Sequence, residues 1–307
     1  MKTKAVRLYG KMDLRMEEFE LPPIEEGEIL AYVVSDSICM SSYKATSQGA
    51  DHKRVPNDVA DNPVIIGHEF CGYIVEVGAK WQDQFKPGDK FVIQPALNYK
   101  GSLFSPGYSY PHIGGDATYV IIPEEVMLCG CLLPYDGDAY FYGSLTEPMS
   151  CIVGGFHANY HGKPGVYEHT MGCKPRGNMA ILAGAGPMGL GCADYAIHGG
   201  NPPRLLVITD IDEARLARAA ELTTVEDAAA HGVKLVYMNT NAVGDPVEAI
   251  RALTDGEGFD DVFVYAPVKP VVEMGDALLA RDGCLNFFAG PTNPQFSAMF
   301  NFYNVHY

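Results

Sequence analysis

A thiol, an imidazole and a carboxylate that could share one metal ion fall in the first quarter of the sequence: Cys39, then His68 and Glu69 in the run Gly67-His68-Glu69-Phe70-Cys71-Gly72. A second carboxylate, Glu147, follows in Thr146-Glu147-Pro148. Thiolate, imidazole and carboxylate are all competent zinc ligands, and a catalytic zinc takes three protein ligands and keeps one open position. A metal with an open position is a Lewis acid toward a carbonyl oxygen. Taken singly, each residue has a plainer role. An isolated His-Glu pair is more often a core histidine beside a surface acid. Glu147 ahead of Pro148 is also what the start of a helix calls for.

The second chemical signal is Gly184-Ala185-Gly186-Pro187-Met188-Gly189. It follows an apolar strand-like run and opens a helical stretch, the context in which G-x-G-x-x-G carries meaning. Gly184 permits the tight turn, Gly186 lets backbone approach a pyrophosphate, and Gly189 lets helix and strand pack closely. Pro187 and Met188 complete the turn, and the helix N-terminus offers N–H groups to phosphate. Asp210 closes the next strand, 21 residues after Gly189, where a carboxylate would bind a ribose 2′-hydroxyl. A carboxylate there repels a 2′-phosphate and favours NAD; Arg215 close by keeps NADP open.

The elements that must position these residues form two zones. As far as Pro123 the chain reads as short strands between Gly, Pro and Asp turns, among them Glu28–Ser35, Cys71–Val77, Lys90–Gln94 and Ala117–Ile122. Pro95–Pro111, rich in Tyr, Gly, Ser and Pro, reads as a long loop, which in a compact domain is usually functional or disordered. From Asn178 the rhythm changes to alternating strands (178–183, 205–209, 234–239, 261–265, 284–289) and helices (188–196, 213–222, 246–253, 271–280), the pattern of a parallel sheet covered on both faces. The dinucleotide-binding fold usually has six such strands. The sequence stops at Asn304-Val305-His306-Tyr307, where the sixth would form, and so reads as cut short.

Composition bounds the function. The 307 residues, 47% hydrophobic and 20% charged, suffice for two globular domains. A net charge of −16 disfavours nucleic acid or an anionic membrane as partner. No apolar run reaches the length of a membrane span, and the start Met1-Lys2-Thr3-Lys4-Ala5 lacks the core of a signal peptide, so the cytoplasm is the expected location. The 8 cysteines are scattered, unlike a small disulfide framework.

Gly67-His68-Glu69-x2-Gly72-x5-Gly78, then Gly114-Gly115-Asp116-Ala117-Thr118-Tyr119-Val120, then Glu147-Pro148-Met149-Ser150 and the glycine turn, in that order, resemble the zinc-dependent medium-chain alcohol and polyol dehydrogenases. The resemblance spans nearly the whole chain. It implies an α/β protein: a chaperonin-10-like β-rich catalytic domain over residues 1–155 and a doubly wound parallel-sheet (Rossmann) dinucleotide-binding domain over 156–307. In that family the chain then returns to complete the catalytic domain, a return this sequence does not contain. By the same resemblance Cys39 is the first zinc ligand and His68 the second. Glu69 is a ligand or a near neighbour, and Glu147 ligates zinc or holds its water. Ser41 passes the alcohol proton. Three features depart from the pattern: Lys44 stands where a relay histidine is usual, Trp81 where a small or aliphatic residue is usual, and Pro95–Pro111 contains no cysteine, so the four-cysteine structural lobe is missing and one zinc per chain is expected. Family habit implies a homodimer or homotetramer.

Within the family, Ser35-Asp36-Ser37-Ile38-Cys39-Met40-Ser41-Ser42-Tyr43-Lys44 is most similar to the L-sorbose-1-phosphate reductase branch, as are Gln94–Tyr99 and Tyr142–Pro148. That branch reduces a ketose 1-phosphate to a hexitol phosphate with a reduced nicotinamide. A phosphorylated small-molecule substrate in so acidic a protein requires local cations. Lys44 with His52-Lys53-Arg54 is the densest basic group near the metal loop, although a solvated charged turn has the same composition. Two rivals remain at this point: a dehydrogenase of unphosphorylated polyols or secondary alcohols, and a non-catalytic nucleotide-binding protein in which Cys39 and His68 are core residues.

Overall fold

Period-two burial organises the first part of the molecule. In the computed structural model, which describes residues 1–163 and 165–306, the chain divides into two compact units, Met1–Pro148 and Met149–Tyr307. The strands of the first unit are β1 (Lys2–Gly10), β2 (Asp13–Glu20), β3 (Ile29–Asp36), β4 (Val64–Ile65), β5 (Phe70–Val77), β6 (Lys90–Ile93), β7 (Tyr119–Ile122) and β8 (Leu132–Pro134). Its short helices are α1 (Met40–Gln48), α2 (Glu124–Leu128) and α3 (Tyr140–Ser144). Five of the strands form an antiparallel sheet in the order β7-β3-β5-β6-β8, and β2-β1-β4 form a smaller one. Alternate residues Ile29, Ala31 and Val33 of β3 point into one core with Phe70, Ile74, Phe91, Ile93, Val120 and Ile122. The β1–β2 hairpin is absent from the strands expected above because its charges, such as Lys2 opposite Glu20 and Lys4 opposite Glu18, break up any apolar run.

The helix α4 (Thr146–Ala158) begins before the second unit and ends inside it. There follow a hairpin, β9 (Tyr160–Lys163) with β10 (Val166–Met171), and then five strands: β11 (Asn178–Leu182), β12 (Leu205–Asp210), β13 (Lys234–Asn239), β14 (Phe259–Val264) and β15 (Leu279–Phe287). The helices between and after them are α5 (Pro187–His198), α6 (Glu213–Leu222), α7 (Val225–Ala230), α8 (Pro246–Arg251), α9 (Lys269–Leu278) and α10 (Phe302–His306). All five strands are parallel, in the order β13-β12-β11-β14-β15. This is the doubly wound arrangement, with order reversing at β11, the switch point beside which such sheets bind ligands. Both faces are covered. Met179 and Ile181 of β11 pack with Cys192, Ala193 and Ile197 of α5, whereas Ala180 and Leu182 pack with Ile250 of α8 and Val272 and Leu278 of α9. The last strand starts earlier than its apolar run indicates, at Leu279, because α9 hands over to it without a loop. Among the described residues no helix is long and apolar enough to cross a membrane.

The glycine turn connects β11 to α5. A Cβ at Gly189 would lie 2.2 Å from the Gly184 carbonyl oxygen, so helix and turn touch backbone to backbone. Neither side can yield without moving α5 from the sheet. The Gly189→Ala variant should therefore lose about 1–3 kcal/mol of stability, read as a lower denaturation midpoint in urea.

Candidate metal centre and dinucleotide turn

The three residues of the opening motif converge. Cys39 is the N-cap of α1, in extended backbone (φ −106, ψ 142), and its Sγ accepts the Ser41 N–H at 3.4 Å. His68 and Glu69 lie in the turn between β4 and β5, each only 5% exposed. Ligand atoms from Cys39, His68 and Glu69 all fall within 4.8 Å of one another. His68 Nε2 stands 3.8 Å from Glu69 Oε1 and 3.2 Å from the Tyr108 hydroxyl, and Nδ1 is 3.3 Å from Ser42 Oγ. The Glu69 carboxylate accepts the Ser37 hydroxyl.

The turn that carries the pair is fixed from behind. Gly67 has φ +88, a conformation that favours glycine, and a Cβ on it would lie 2.1 Å from Asp36 Oδ2. Asp36, the last residue of β3, accepts the Glu69 N–H at 3.0 Å, and Gly115 N donates to the Gly67 carbonyl at 2.7 Å. Burial, reinforced by Asp116, pushes the Asp36 carboxyl up to about 8.

The electrostatics suit a cation. Burial, with Arg54 nearby, takes His68 down to about 4, so the imidazole is neutral and keeps a lone pair, as a ligand must. Burial raises the Cys39 thiol, and the Glu69 charge beside it raises it further. A half-buried thiol and a buried carboxylate this close disfavour two negative charges, and a divalent cation is the charge that reverses this preference. The donor set of sulfur, nitrogen and oxygen fits zinc.

Tyr108 organises the surroundings, and sequence reasoning did not single it out. It lies in the Pro95–Pro111 segment, which packs down on the site with Ser105, Tyr108 and Ser109 buried. Its ring stacks on His52 (centroids 5.7 Å apart), tilts against His68 (4.8 Å) and receives the Arg54 guanidinium at 5.5 Å. Arg54 Nη1 donates to Ser105 Oγ at 3.0 Å, and Ser109 Oγ donates to the Arg54 carbonyl at 2.6 Å. Burial raises the Tyr108 hydroxyl; the charges of Cys39 and Glu147 raise it too, while its hydrogen bond with Ser41 and the charge of Arg54 lower it. Ser41 and Glu147 are therefore close to the same tyrosine, Glu147 in the first turn of α4. Burial lowers His52, as do the charges of Arg54, Lys53 and Lys44, so the four basic residues are one electrostatic group. The composition of the loop marked it as functional or disordered, but only the fold reveals which of its tyrosines faces the histidine.

In the second unit Gly184 follows β11, Gly186 caps α5, and Pro187 and Met188 open that helix. Asp210 ends β12 and is buried; its Oδ2 accepts Ala185 N–H from the glycine turn at 3.2 Å, and Oδ1 accepts the N–H groups of Ile211 (2.8 Å) and Asp212 (3.2 Å). Arg215, on α6, is exposed and lies 3.9 Å from Asp212.

Comparison with known proteins agrees with this layout. The alcohol dehydrogenase GroES-like domain matches residues 25–130, and the zinc-binding dehydrogenase domain matches residues 187–307. L-sorbose 1-phosphate reductase of Klebsiella pneumoniae is 52% identical over 305 residues, covering 99% of this chain and 73% of that protein. The chain belongs to the zinc-dependent medium-chain dehydrogenase family. A second relative of this dehydrogenase, mannitol-1-phosphate 5-dehydrogenase of Aliivibrio fischeri, is 54% identical over 305 residues, 99% of this chain and 72% of the relative. Among solved structures, a Sinorhizobium meliloti protein described as a zinc-binding dehydrogenase and bound to NADP superposes with a TM-score of 0.78 at 20% identity, over 100% of this chain and 82% of that one, a likeness of fold. The dehydrogenase is an oxidoreductase with a GroES-like domain followed by a Rossmann-like domain.

If Cys39 holds zinc, Cys39→Ala should lose the tightly held metal and activity together, as read by metal analysis and turnover. Retention of full metal content would defeat the assignment. Because the thiol must lose its proton to bind, zinc affinity should rise with pH, by about tenfold per unit below the thiol pKa, in a chelator competition series.

Proposed function

We propose that this dehydrogenase interconverts a ketose phosphate and a hexitol phosphate by hydride transfer with a nicotinamide cofactor. The observation that carries the reading is Arg54. It lies against the same tyrosine that hydrogen-bonds His68, bringing a basic group to the metal donors inside a protein of net charge −16. A neutral alcohol needs no such cation, whereas a phosphate does. The two relatives named for sugar-phosphate chemistry support the same substrate class.

Cys39, His68 and a carboxylate, Glu69 or Glu147, would hold one catalytic zinc, and the cysteine-free Pro95–Pro111 segment supports the absence of a structural one. When bound, zinc supplies Lewis acidity toward a carbonyl oxygen. The residues of the chain do the rest. Arg54, with His52, Lys53 and Lys44, orients the phosphate. Ser41, joined to Tyr108 by a hydrogen bond, carries the proton between the substrate oxygen and solvent. Lys44, in place of a relay histidine, attracts phosphate and does not continue the proton path. The Gly184–Gly189 turn and the N-terminus of α5 receive the pyrophosphate, and Asp210 selects NAD over NADP by repelling a 2′-phosphate. In functional terms the division falls at residues 1–155 for zinc and substrate and 156–307 for the dinucleotide.

The substrate assignment is tested by kcat/KM on L-sorbose 1-phosphate against L-sorbose, and on sorbitol for the reverse direction. The phosphorylated ketose should be preferred, and Arg54→Ala should cost it about 10–100-fold, one charge-assisted contact, with the free sugar hardly affected. Equal rates on both in the native enzyme would give the polyol reading instead. For the cofactor, Asp210→Ala should narrow the NADH:NADPH ratio of kcat/KM by about tenfold. The ratio is the measure to use, because loosening the backbone held by Asp210 would slow both cofactors alike.

A further inference from the structure

Away from the Cys39 centre, two helices of the second unit bring a different set of metal donors together. Asp194 and His198 are four residues apart on α5, and Asp227 and His231 are four apart on α7 and its C-cap. That spacing puts each pair on one helix face. The pairs meet where His198 Nε2 approaches Asp227 Oδ2 at 3.0 Å, with the two imidazole rings 4.6 Å apart at 83°. Ligand atoms of His198, Asp227 and His231 all lie within 4.8 Å of one another.

The hydrogen bonds around these histidines decide which nitrogens are free to ligate. His198 Nδ1 is 3.1 Å from the Asp194 carbonyl oxygen and 3.1 Å from Asp194 Oδ1. Both are acceptors, so Nδ1 carries the proton and a neutral ring keeps its lone pair on Nε2. In the neutral ring that lone pair faces a carboxylate oxygen at 3.0 Å, an arrangement that calls for a cation between them. Burial opposes a proton there, but Asp194 and Asp227 together raise the His198 pKa, so a proton is one such cation. His231 Nδ1 lies 3.0 Å from the Asp227 carbonyl oxygen, which can only accept, and its Nε2 is left with a lone pair in the same way. Metal-bound histidines have this arrangement as a rule: the second ring nitrogen donates to a carboxylate or carbonyl, fixing ring and tautomer. Two donors of a tetrahedral zinc at 2.0–2.2 Å stand about 3.4 Å apart, so an ion would draw these donors inward from a spread of up to 4.8 Å.

We propose that His198, Asp227 and His231 form a surface site for a borderline divalent metal ion, Zn²⁺ as the defining case. Asp194 orients His198 for the ion, which is held less tightly than at Cys39. Three protein ligands leave positions for water, and the net charge of −16 concentrates cations at the surface. An ion here would tie the end of α5 to α7. The competing occupant is a proton, which makes His198 a cation between Asp194 and Asp227.

The test uses Zn²⁺ alone at pH 8, in competition with a chromophoric chelator, on the native protein and on His198→Ala, His231→Ala and Cys39→Ala. Both surface histidines are exposed, so their removal leaves the fold intact. The native protein should take up a second, weaker equivalent, and zinc should raise its melting temperature beyond what the first equivalent gives. Each histidine variant should weaken that equivalent at least about tenfold and lose the added thermal shift, while keeping the tight equivalent and full turnover. Cys39→Ala should keep the weak equivalent, which separates failure here from failure at the Cys39 centre. A weak equivalent unaltered in both histidine variants, or none in the native protein, would overturn the proposal and leave the protonated cluster.

Discussion

The seat of the His68-Glu69 pair depends on one close packing, the Asp36 carboxyl against the peptide of Gly67. No side chain fits at position 67, because its first carbon would overlap that carboxyl. The same group accepts the Glu69 N–H, so the last residue of β3 fixes the turn that leads into β5. Cys39 leaves from the same strand end, three residues after Asp36, and is delivered to the pair by the start of α1. The three donors thus gather at one corner of a sheet whose interior is packed by Ile29, Val33, Phe70 and Phe91. Rigid elements hold a site more accurately than loops do, and this one is held by strand ends. A carboxyl raised to about 8 is protonated at neutral pH, so the support behind the donors adds no full negative charge to a site that already holds Glu69.

Charge is distributed unevenly in this dehydrogenase. The chain as a whole is acidic, with a net charge of −16, yet Lys44, His52, Lys53 and Arg54 form a basic island beside a buried imidazole. Tyr108 joins the two, since one face of its environment is cationic and its hydroxyl meets His68. The tyrosine contributes a ring that stacks and a hydroxyl that bonds, and neither requires it to ionise.

Much of the fold was legible because its signals are local. The parallel strands announce themselves as runs of Leu, Ile, Val and Phe, and β13 and α6 begin and end where periodicity places them. The glycine turn and the His-Glu motif are fixed spacings, and the fold brings Cys39 to the latter. What escaped has a physical reason in each case. The β1–β2 hairpin buries few residues and is paired through opposite charges, so no apolar pattern betrays it. The α7 helix is short and rich in alanine, with Ala228 alone fully packed. Tyr108 lies 40 residues beyond His68, and Arg54 reaches it from another loop, contacts that belong to the tertiary fold and leave no trace in spacing. Asp36 looks like the polar end of a strand, and its importance arises only from what packs on it.

Asp210 offers a last consequence. A carboxylate has roughly four lone-pair directions, and three are engaged by backbone N–H groups of Ala185, Ile211 and Asp212. Its rotamer is therefore settled in the free protein, and an arriving hydroxyl has no side chain to immobilise. One acceptor direction is left, room for a single further donor. The same bond from Ala185 links the strand end to the glycine turn, so whatever engages the carboxylate also reports to the loop beside it. Two segments far apart in sequence, the glycine turn and the end of β12, are in this way mechanically coupled through a single side chain.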